Sequence, residues 1–157
     1  ALHIPSDADL STEAVDRSMQ EADTFFRTCY PDYVYDRYTC ESWLLSPVLR
    51  QLLPEQSHIV SFQKRFTIKS VDREENEYIE WLFQVPADTA YEQLPVRTSL
   101  QRKVRALLLD GGTVGGAYGI SPRSGDADRT DRFRRQRDTD DLAVHADRTG
   151  DVCLAPV

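Results

Sequence analysis

The stretch HIVSFQKRFTIKSVDREENEYIEWLFQV, residues 58–85, decides the predicted fold. Apolar and polar side chains alternate in both of its halves, which is the spacing of a half-buried β-strand. The apolar members are Val60, Phe62, Phe66, Ile68, Ile79, Trp81, Phe83 and Val85. The polar residues 72–77 separate the halves and are typical of a turn. The pattern predicts a long antiparallel hairpin with strands 58–71 and 78–85, in which Glu80 lies on the polar face.

Two longer segments around this hairpin have helical spacing. Residues 12–29 carry apolar side chains at every third or fourth position and follow Ser11, a favourable N-cap. A second helix begins at Thr98 or Ser99 and ends at a glycine pair, which commonly terminates helices. Pro47 lies in the first turn of a third, short helix.

Three shorter segments, residues 2–4, 34–39 and 113–120, are predicted to be strands. The element order is therefore β-α-β-α-β-β-α-β, and the sequence contains no internal repeat. This order predicts an α+β fold with a mixed, mainly antiparallel sheet and flanking helices.

The end of the chain differs in composition from the rest of its 157 residues. Residues 1–120 contain 18 acidic and 12 basic side chains, whereas residues 121–157 contain eight Asp, seven Arg and a single aromatic residue, Phe133. A segment this polar buries too little apolar surface to offset the entropy lost on folding. We predict a folded domain over 1–120 and a disordered Arg/Asp-rich tail over 121–157.

Charge and composition exclude several classes of function. The net charge of −7 argues against a nucleic-acid-binding protein, which needs a surplus of basic side chains. The apolar runs are far shorter than the roughly 20 residues that span a bilayer, and no signal peptide is visible. Cys29, Cys40 and Cys153 lack the spacing of a zinc site, so no metal is predicted. We expect reduced thiols in a cytoplasmic protein, with Cys29 buried on its helix; a nucleophilic Cys40 is the alternative.

Three stretches carry a resemblance to a known family: TCESWLL at 39–45, HIVSFQKRFTI at 58–68 and RTSLQRKVRALLLDGG at 97–112. The chain resembles the GNAT-type N-acyltransferases, and in particular the GNAT-like C-terminal domain of bacterial acyltransferase-domain proteins. The resemblance covers residues 1–119. It implies acyl transfer from a coenzyme A (CoA) thioester to an amine, without a covalent enzyme intermediate.

The resemblance also implies neighbouring structure. Intact members carry a preceding helical domain, and their fold continues past the last predicted strand with another helix and two strands. Residues 121–157 show no apolar periodicity that would form these elements, so we expect the domain to be incomplete.

The resemblance places the CoA pyrophosphate at the start of the second long helix. Free N–H groups, two hydroxyls and a guanidinium would converge there. The candidate residues are Arg97, Thr98, Ser99 and Leu100. The glycine-rich signature of the family is absent, because the matching stretch reads RTSLQR. An ordinary helix cap beside a surface arginine is the alternative interpretation.

Acyl transfer of this kind needs a base for the amine and an acid for the leaving thiolate. Glu80, in the second strand of the predicted hairpin, is the first candidate base, and Glu41 is the second. Tyr118 is the candidate acid. The alternatives are solvated surface charges for the two glutamates and a core position for the tyrosine.

The sequence thus predicts a domain that transfers an acyl group from acetyl-CoA or another acyl-CoA to an amine of an unidentified small-molecule acceptor. Two alternatives stay open. One is a non-enzymatic binding or structural module, and the other is a truncated, inactive remnant of such an enzyme.

Overall fold

The computed structural model of the chain describes residues 1–123. Within that range, Ala1–Ser121 form one compact unit. The elements in chain order are α1 (Thr12–Cys29), β1 (Arg37–Ser42), a 3-10 turn (Trp43–Leu45), α2 (Leu49–Leu52), α3 (His58–Gln63), β2 (Thr67–Asp72), α4 (Tyr78–Phe83), a second 3-10 turn (Tyr91–Gln93), α5 (Ser99–Leu109) and β3 (Gly116–Pro122). The predicted α+β class, a small sheet with flanking helices, is confirmed. The predicted tail lies outside the described residues from position 124 onward.

The three strands form one sheet in the order β1-β3-β2, so the strand that comes last in the sequence lies in the middle. β2 and β3 run antiparallel, with Asp72 opposite Gly116. The predicted strand at residues 2–4 is reduced to a single parallel bridge between Leu2 and Cys40. This bridge attaches the N-terminal segment to β1.

The predicted hairpin across residues 58–85 is wrong. Its first half folds as helix α3 followed by strand β2, and its second half begins with helix α4. β2 pairs with β3, which comes much later in the chain, and not with residues 78–85.

The alternation in residues 78–85 also fits one face of a short helix. Ile79 and Phe83 are each 2% exposed and lie four residues apart, a separation that strand and helix alike place on one side. Trp81 distinguishes the two patterns, because a strand would bury it with its neighbours, whereas on α4 it is 51% exposed. Gln84 then adopts a left-handed conformation with φ 59° and ends the helix.

The two longer helices match their sequence-based predictions. α1 follows Ser11, whose hydroxyl accepts a hydrogen bond from the amide of Ala14 at 3.4 Å. α5 follows Thr98 and ends at Leu109, with Asp110 as its C-cap directly before the glycine pair. The predicted strand at 34–39 is present as β1, displaced toward the C-terminus. Helix α2 and strand β3 also form near their predicted positions.

The interior consists of two apolar clusters. The first core cluster contains Val15, Met19, Tyr38, Cys40, Leu45, Phe62, Phe66 and Ala117. The second core cluster contains Leu49, Tyr78, Ile79, Phe83, Leu94, Val104, Leu108 and Val114. The chain entering β3 passes from the second cluster to the first, since Val114 belongs to one and Ala117 to the other.

A fully buried glutamine connects several segments. The side-chain amide nitrogen of Gln63 donates to the carbonyls of Leu44 at 2.7 Å and Ser46 at 2.9 Å. Its Oε1 accepts from Nε of Arg50 at 2.8 Å. The hydroxyl of Ser46 in turn donates to the carbonyl of Val114 at 2.6 Å. Both donors and the acceptor of the buried amide are therefore paired, as burial requires.

A close approach of two backbones occurs at Gly115. This residue has φ +66°, and a Cβ atom there would lie 2.3 Å from the carbonyl oxygen of Asp72. Glycine alone fits this position without moving the end of β2.

We expect Phe83→Ala to lower the free energy of unfolding by about 3–5 kcal/mol, because it removes a buried ring from the second core cluster. Trp81→Ala should lower it much less, since half of that side chain is exposed. Urea denaturation followed by circular dichroism measures both values. Equal losses for the two variants would contradict the helical placement of these residues and favour a strand.

Candidate active site

A cleft with a volume of about 860 Å³ lies where the N-terminal segment, the sheet and α4 meet. The apolar residues that line it include Leu2, Ile4, Pro5, Leu10, Trp43 and Leu44. The acidic residues that line it are Glu41, Asp72, Glu75 and Glu77. Among the described residues, no lysine or arginine lines the cleft. The cleft therefore offers an apolar surface beside a field that favours a cation over an anion.

The structure brings two of the three predicted catalytic residues to this cleft. Glu41 projects from β1 and is exposed, whereas Tyr118 projects from the neighbouring strand β3 and is half-buried. Both side chains line the cleft, together with the two tryptophans of the chain, Trp43 and Trp81. A carboxylate and a phenol are thus available to one ligand.

Glu80 lies elsewhere. It was expected on a strand, but it belongs to helix α4 and is exposed to solvent. Its Oε1 accepts a hydrogen bond from the amide of Ala87 at 3.4 Å. Glu80 is not among the residues that line the cleft, because it lies on a different side of α4 from Trp81 and Leu82.

The predicted pyrophosphate-binding residues form the first turn of α5. The hydroxyl of Thr98 accepts from the amide of Gln101 at 3.1 Å. The Gln101 Oε1 accepts from the amides of Arg97 at 2.8 Å and Thr98 at 3.1 Å. This capping box occupies the amides of those two residues. The next amides, of Ser99 and Leu100, lie at the start of the helix, where no intrahelical acceptor is available.

The start of α5 is connected to the cleft by one hydrogen bond. Nε2 of Gln101 donates to the carbonyl of Leu82 at 2.9 Å, and Leu82 lines the cleft. Arg97, Thr98, Ser99 and Leu100 do not line the cleft themselves. The cleft and the start of α5 are therefore separate regions that are linked through α4.

Glu75 is a cleft residue that sequence reasoning missed. Its Oε1 accepts a hydrogen bond from the amide of Glu77, while Oε2 is buried. Burial raises the pKa of this carboxyl above the usual range of a glutamate, and the amides of Glu77 and Tyr78 oppose that shift. In sequence it is one of several glutamates in a polar turn, and its burial becomes visible only once Gly116 is placed against it.

The cysteines do not contribute to the cleft. Cys40 is 1% exposed, and burial raises the pKa of its thiol to about 11, which keeps it protonated and unsuited to nucleophilic attack. Cys29 was expected to be buried, but it is exposed at the last position of α1, ten residues beyond Met19, the last buried residue of that helix.

Residues 1–123 contain no group of three or more His, Cys, Asp or Glu side chains placed to hold a metal ion. Among the helices of the same range, none combines the length and the apolar composition needed to cross a bilayer.

Comparison with known proteins gives a family and several solved structures. The family described as "GNAT-like C-terminal domain" matches residues 1–121. An acyltransferase in complex with decanoyl-CoA and teicoplanin is 26% identical, with a TM-score of 0.69 over 77% of this chain and 39% of that chain. An acyltransferase in complex with decanoyl-CoA is 28% identical, with a TM-score of 0.68 over 76% and 38% of the two chains.

A third structure, of an acyltransferase in complex with CoA and 10C-teicoplanin, is 26% identical, with a TM-score of 0.67 over 74% of this chain and 38% of that chain. The chain therefore spans about two fifths of the length of these acyltransferases. No curated protein gives a significant sequence match.

The two cysteines of the described region should differ in reactivity. We expect iodoacetamide to alkylate Cys29 in the native protein and to spare Cys40, because only Cys29 is exposed and the raised pKa of Cys40 suppresses its thiolate. Mass spectrometry of the peptides measures each site. In urea, both should react. Alkylation of native Cys40 at the rate of Cys29 would contradict the packing around β1.

Proposed function

The chain belongs to the family of GNAT-like C-terminal domains, and from this premise we propose that it acts in acyl transfer from acyl-CoA to an amine of a small-molecule acceptor. One observation carries the proposal: Glu41 and Tyr118 line the same cleft in a chain whose structural neighbours are acyltransferases with bound acyl-CoA. The base, the acid and the reacting groups would meet there.

The proton transfers follow from the two side chains. An amine attacks as the neutral base, so the acceptor must lose a proton before or during attack on the thioester carbonyl. The Glu41 carboxylate takes that proton, the new C–N bond forms, and the C–S bond breaks. The Tyr118 hydroxyl protonates the departing thiolate. Glu41 is preferred to Glu80 as the base because Glu41 lines the cleft and Glu80 does not.

The start of α5 is the proposed binding place of the CoA pyrophosphate. The amides of Ser99 and Leu100 lie at the positive end of an eleven-residue helix. The Arg97 guanidinium and the hydroxyls beside it add a charge and two hydrogen-bond donors. The hydrogen bond from Gln101 to Leu82 supports this proposal, because it joins the start of α5 to a residue that lines the cleft.

The apolar and acidic residues that line the cleft suit the two reactants. The apolar residues would hold an acyl chain, and the carboxylates would attract an amine that arrives as an ammonium ion. One neighbour is a complex with decanoyl-CoA and teicoplanin, so a medium-length acyl group and a teicoplanin-like amine acceptor are the proposed substrate classes. The free thiols of Cys29 and Cys40 support a reducing, cytoplasmic setting, which we propose to be bacterial.

We expect decanoyl-CoA to raise the Tm of the protein, since a ligand that binds only the native state stabilises it, by about 2.7 kcal/mol at a concentration 100 times Kd. The double variant Arg97→Ala, Ser99→Ala should weaken binding by about tenfold or more, because it removes a charged donor and a hydroxyl. Differential scanning fluorimetry measures both effects.

Arg17→Ala is the matched control for that measurement. It removes the same charge from an exposed position on α1, distant in sequence from α5. Equal binding by the double variant and by the control would contradict the proposed pyrophosphate site. No Tm shift with any acyl-CoA would favour a non-enzymatic module.

Glu41→Gln should lower the turnover of decanoyl-CoA with a primary amine by a factor on the order of 10²–10⁴, because the proposed base is lost. Glu80→Gln is the matched control and should change turnover little. The release of free CoA, followed with a thiol reagent, measures the rate. A larger loss in Glu80→Gln than in Glu41→Gln would reverse the assignment of the base.

A further inference from the structure

Glu75 lies where the end of β2, the start of α4 and the start of β3 come together at the cleft. Its Oε1 accepts a hydrogen bond from the amide of Glu77, and the amide of Tyr78 also interacts with the carboxylate. These are amides at the start of α4, which has no other side-chain cap. The side chain of Glu75 therefore anchors the first turn of that helix.

The other carboxylate oxygen contacts β3. A Cβ atom at Gly116 would lie 2.9 Å from Oε2 and 3.3 Å from Cγ of Glu75, so the glycine provides the space in which the side chain is seated. Oε2 is buried and has no hydrogen-bond partner within residues 1–123. An unpaired buried carboxylate oxygen costs free energy and needs an explanation beyond stability.

We propose that Glu75 is a positioning residue: by joining the start of α4 to β3, it sets the place of Trp81 in the cleft relative to Tyr118. α4 carries Trp81 to the cleft, and β3 carries Tyr118, so the contact of Glu75 with both elements fixes the distance between these two rings. The consequence for acyl transfer rests on the proposed function, whereas the consequence for the shape of the cleft does not.

The charge of Glu75 affects this contact. The titratable groups that face it are Asp72 from the end of β2 and Glu77 from the start of α4, while Gly116 and Ala117 of β3 carry none. Burial raises the pKa of Glu75, and the negative charges of Glu77 and Asp72 act in the same direction. The ionised carboxylate accepts hydrogen bonds from the α4 amides more strongly than the neutral acid.

Protonation of Glu75 should therefore loosen α4 and change the surroundings of Trp81 at a pH above that of ordinary glutamate titration. The raised pKa also has a defined effect on stability. The folded state retains the Glu75 proton to a higher pH than the unfolded chain, so this group's contribution to stability declines as the pH rises through its folded-state pKa. His3 also lines the cleft, and His3→Gln is the control for any contribution of its imidazole to the signal.

Tryptophan fluorescence provides the test, because the chain has two tryptophans and Trp43→Phe leaves only Trp81. In that background, Glu75→Ala is expected to shift the emission maximum of Trp81 and to change its quenching by acrylamide. Glu75→Gln keeps an acceptor oxygen for the α4 amides but is neutral, like the protonated acid, so at neutral pH it is expected to give the signal that the Trp43→Phe protein shows once Glu75 is protonated. Glu74→Ala, which removes the adjacent exposed carboxylate, is the control and should have no effect.

Gly116→Ala tests the same contact from the other side. Its added Cβ would displace Glu75, so it should shift the Trp81 signal as Glu75→Ala does. In the double variant Glu75→Ala, Gly116→Ala, the added methyl group occupies the space that the Glu75 side chain has left. The second substitution should therefore add nothing to the shift of the Trp81 emission maximum. Additive shifts would overturn the proposal, as would an unchanged Trp81 signal in Glu75→Ala.

The acid titration of the Trp43→Phe protein completes the test. The pH-dependent change of the Trp81 fluorescence should disappear in Glu75→Gln and persist in His3→Gln. Its persistence in Glu75→Gln would overturn the proposal. If Glu75→Ala does not fold, Gly116→Ala and Glu75→Gln still decide the question. If the wild-type chain does not bind acyl-CoA, the proposed function alone is contradicted. If it binds acyl-CoA but substitutions of Glu75 and Gly116 leave the Trp81 signal unchanged, the positioning role alone is contradicted.

Discussion

The buried side-chain amide of Gln63 is the interaction on which the arrangement of the cleft depends. It joins α3 to the carbonyls of Leu44 and Ser46, directly after the strand that carries Glu41. The Ser46 hydroxyl then binds the carbonyl of Val114, just before the strand that carries Tyr118. An apolar side chain at position 63 would remove the side-chain donor to the Leu44 carbonyl and one of two donors to the Ser46 carbonyl, which also accepts from the Leu49 amide at 3.2 Å. The Gln63 amide and the Ser46 hydroxyl together link the segments next to these two strands.

Long elements were predictable from sequence because several independent signals agree in them. α1 has a capping serine and an apolar face over its 18 residues, and α5 has a capping threonine and a glycine stop. The six-residue helices α3 and α4 contain too few turns to separate a period of 2 from a period of 3.6. Strand β2 found its partner in β3, and that pairing is decided by tertiary packing, which local patterns do not record.

The candidate site residues were likewise placed correctly only where the predicted backbone element forms. The candidate residues Glu41 and Tyr118 both line the cleft, and each lies in or beside a segment that was predicted as a strand and forms one in the structure. Glu80 was placed by a strand that does not exist, so its predicted orientation was lost with that strand. Glu75 could not be found from local pattern, because its burial is produced by Gly116, a residue without a side chain in a distant strand.

Two elements that line the cleft, the N-terminal segment and helix α4, pack on different parts of the interior. Leu2, Ile4 and Leu10 of the N-terminal segment pack on the first core cluster, whereas the buried face of α4 belongs to the second. Substitutions on one side therefore reshape the cleft without disturbing the packing beneath the other, because sites that share no partners act independently. Ligand preference can therefore change among related chains by substitutions in the N-terminal segment or in α4 separately, while the strands that carry Glu41 and Tyr118 stay constant.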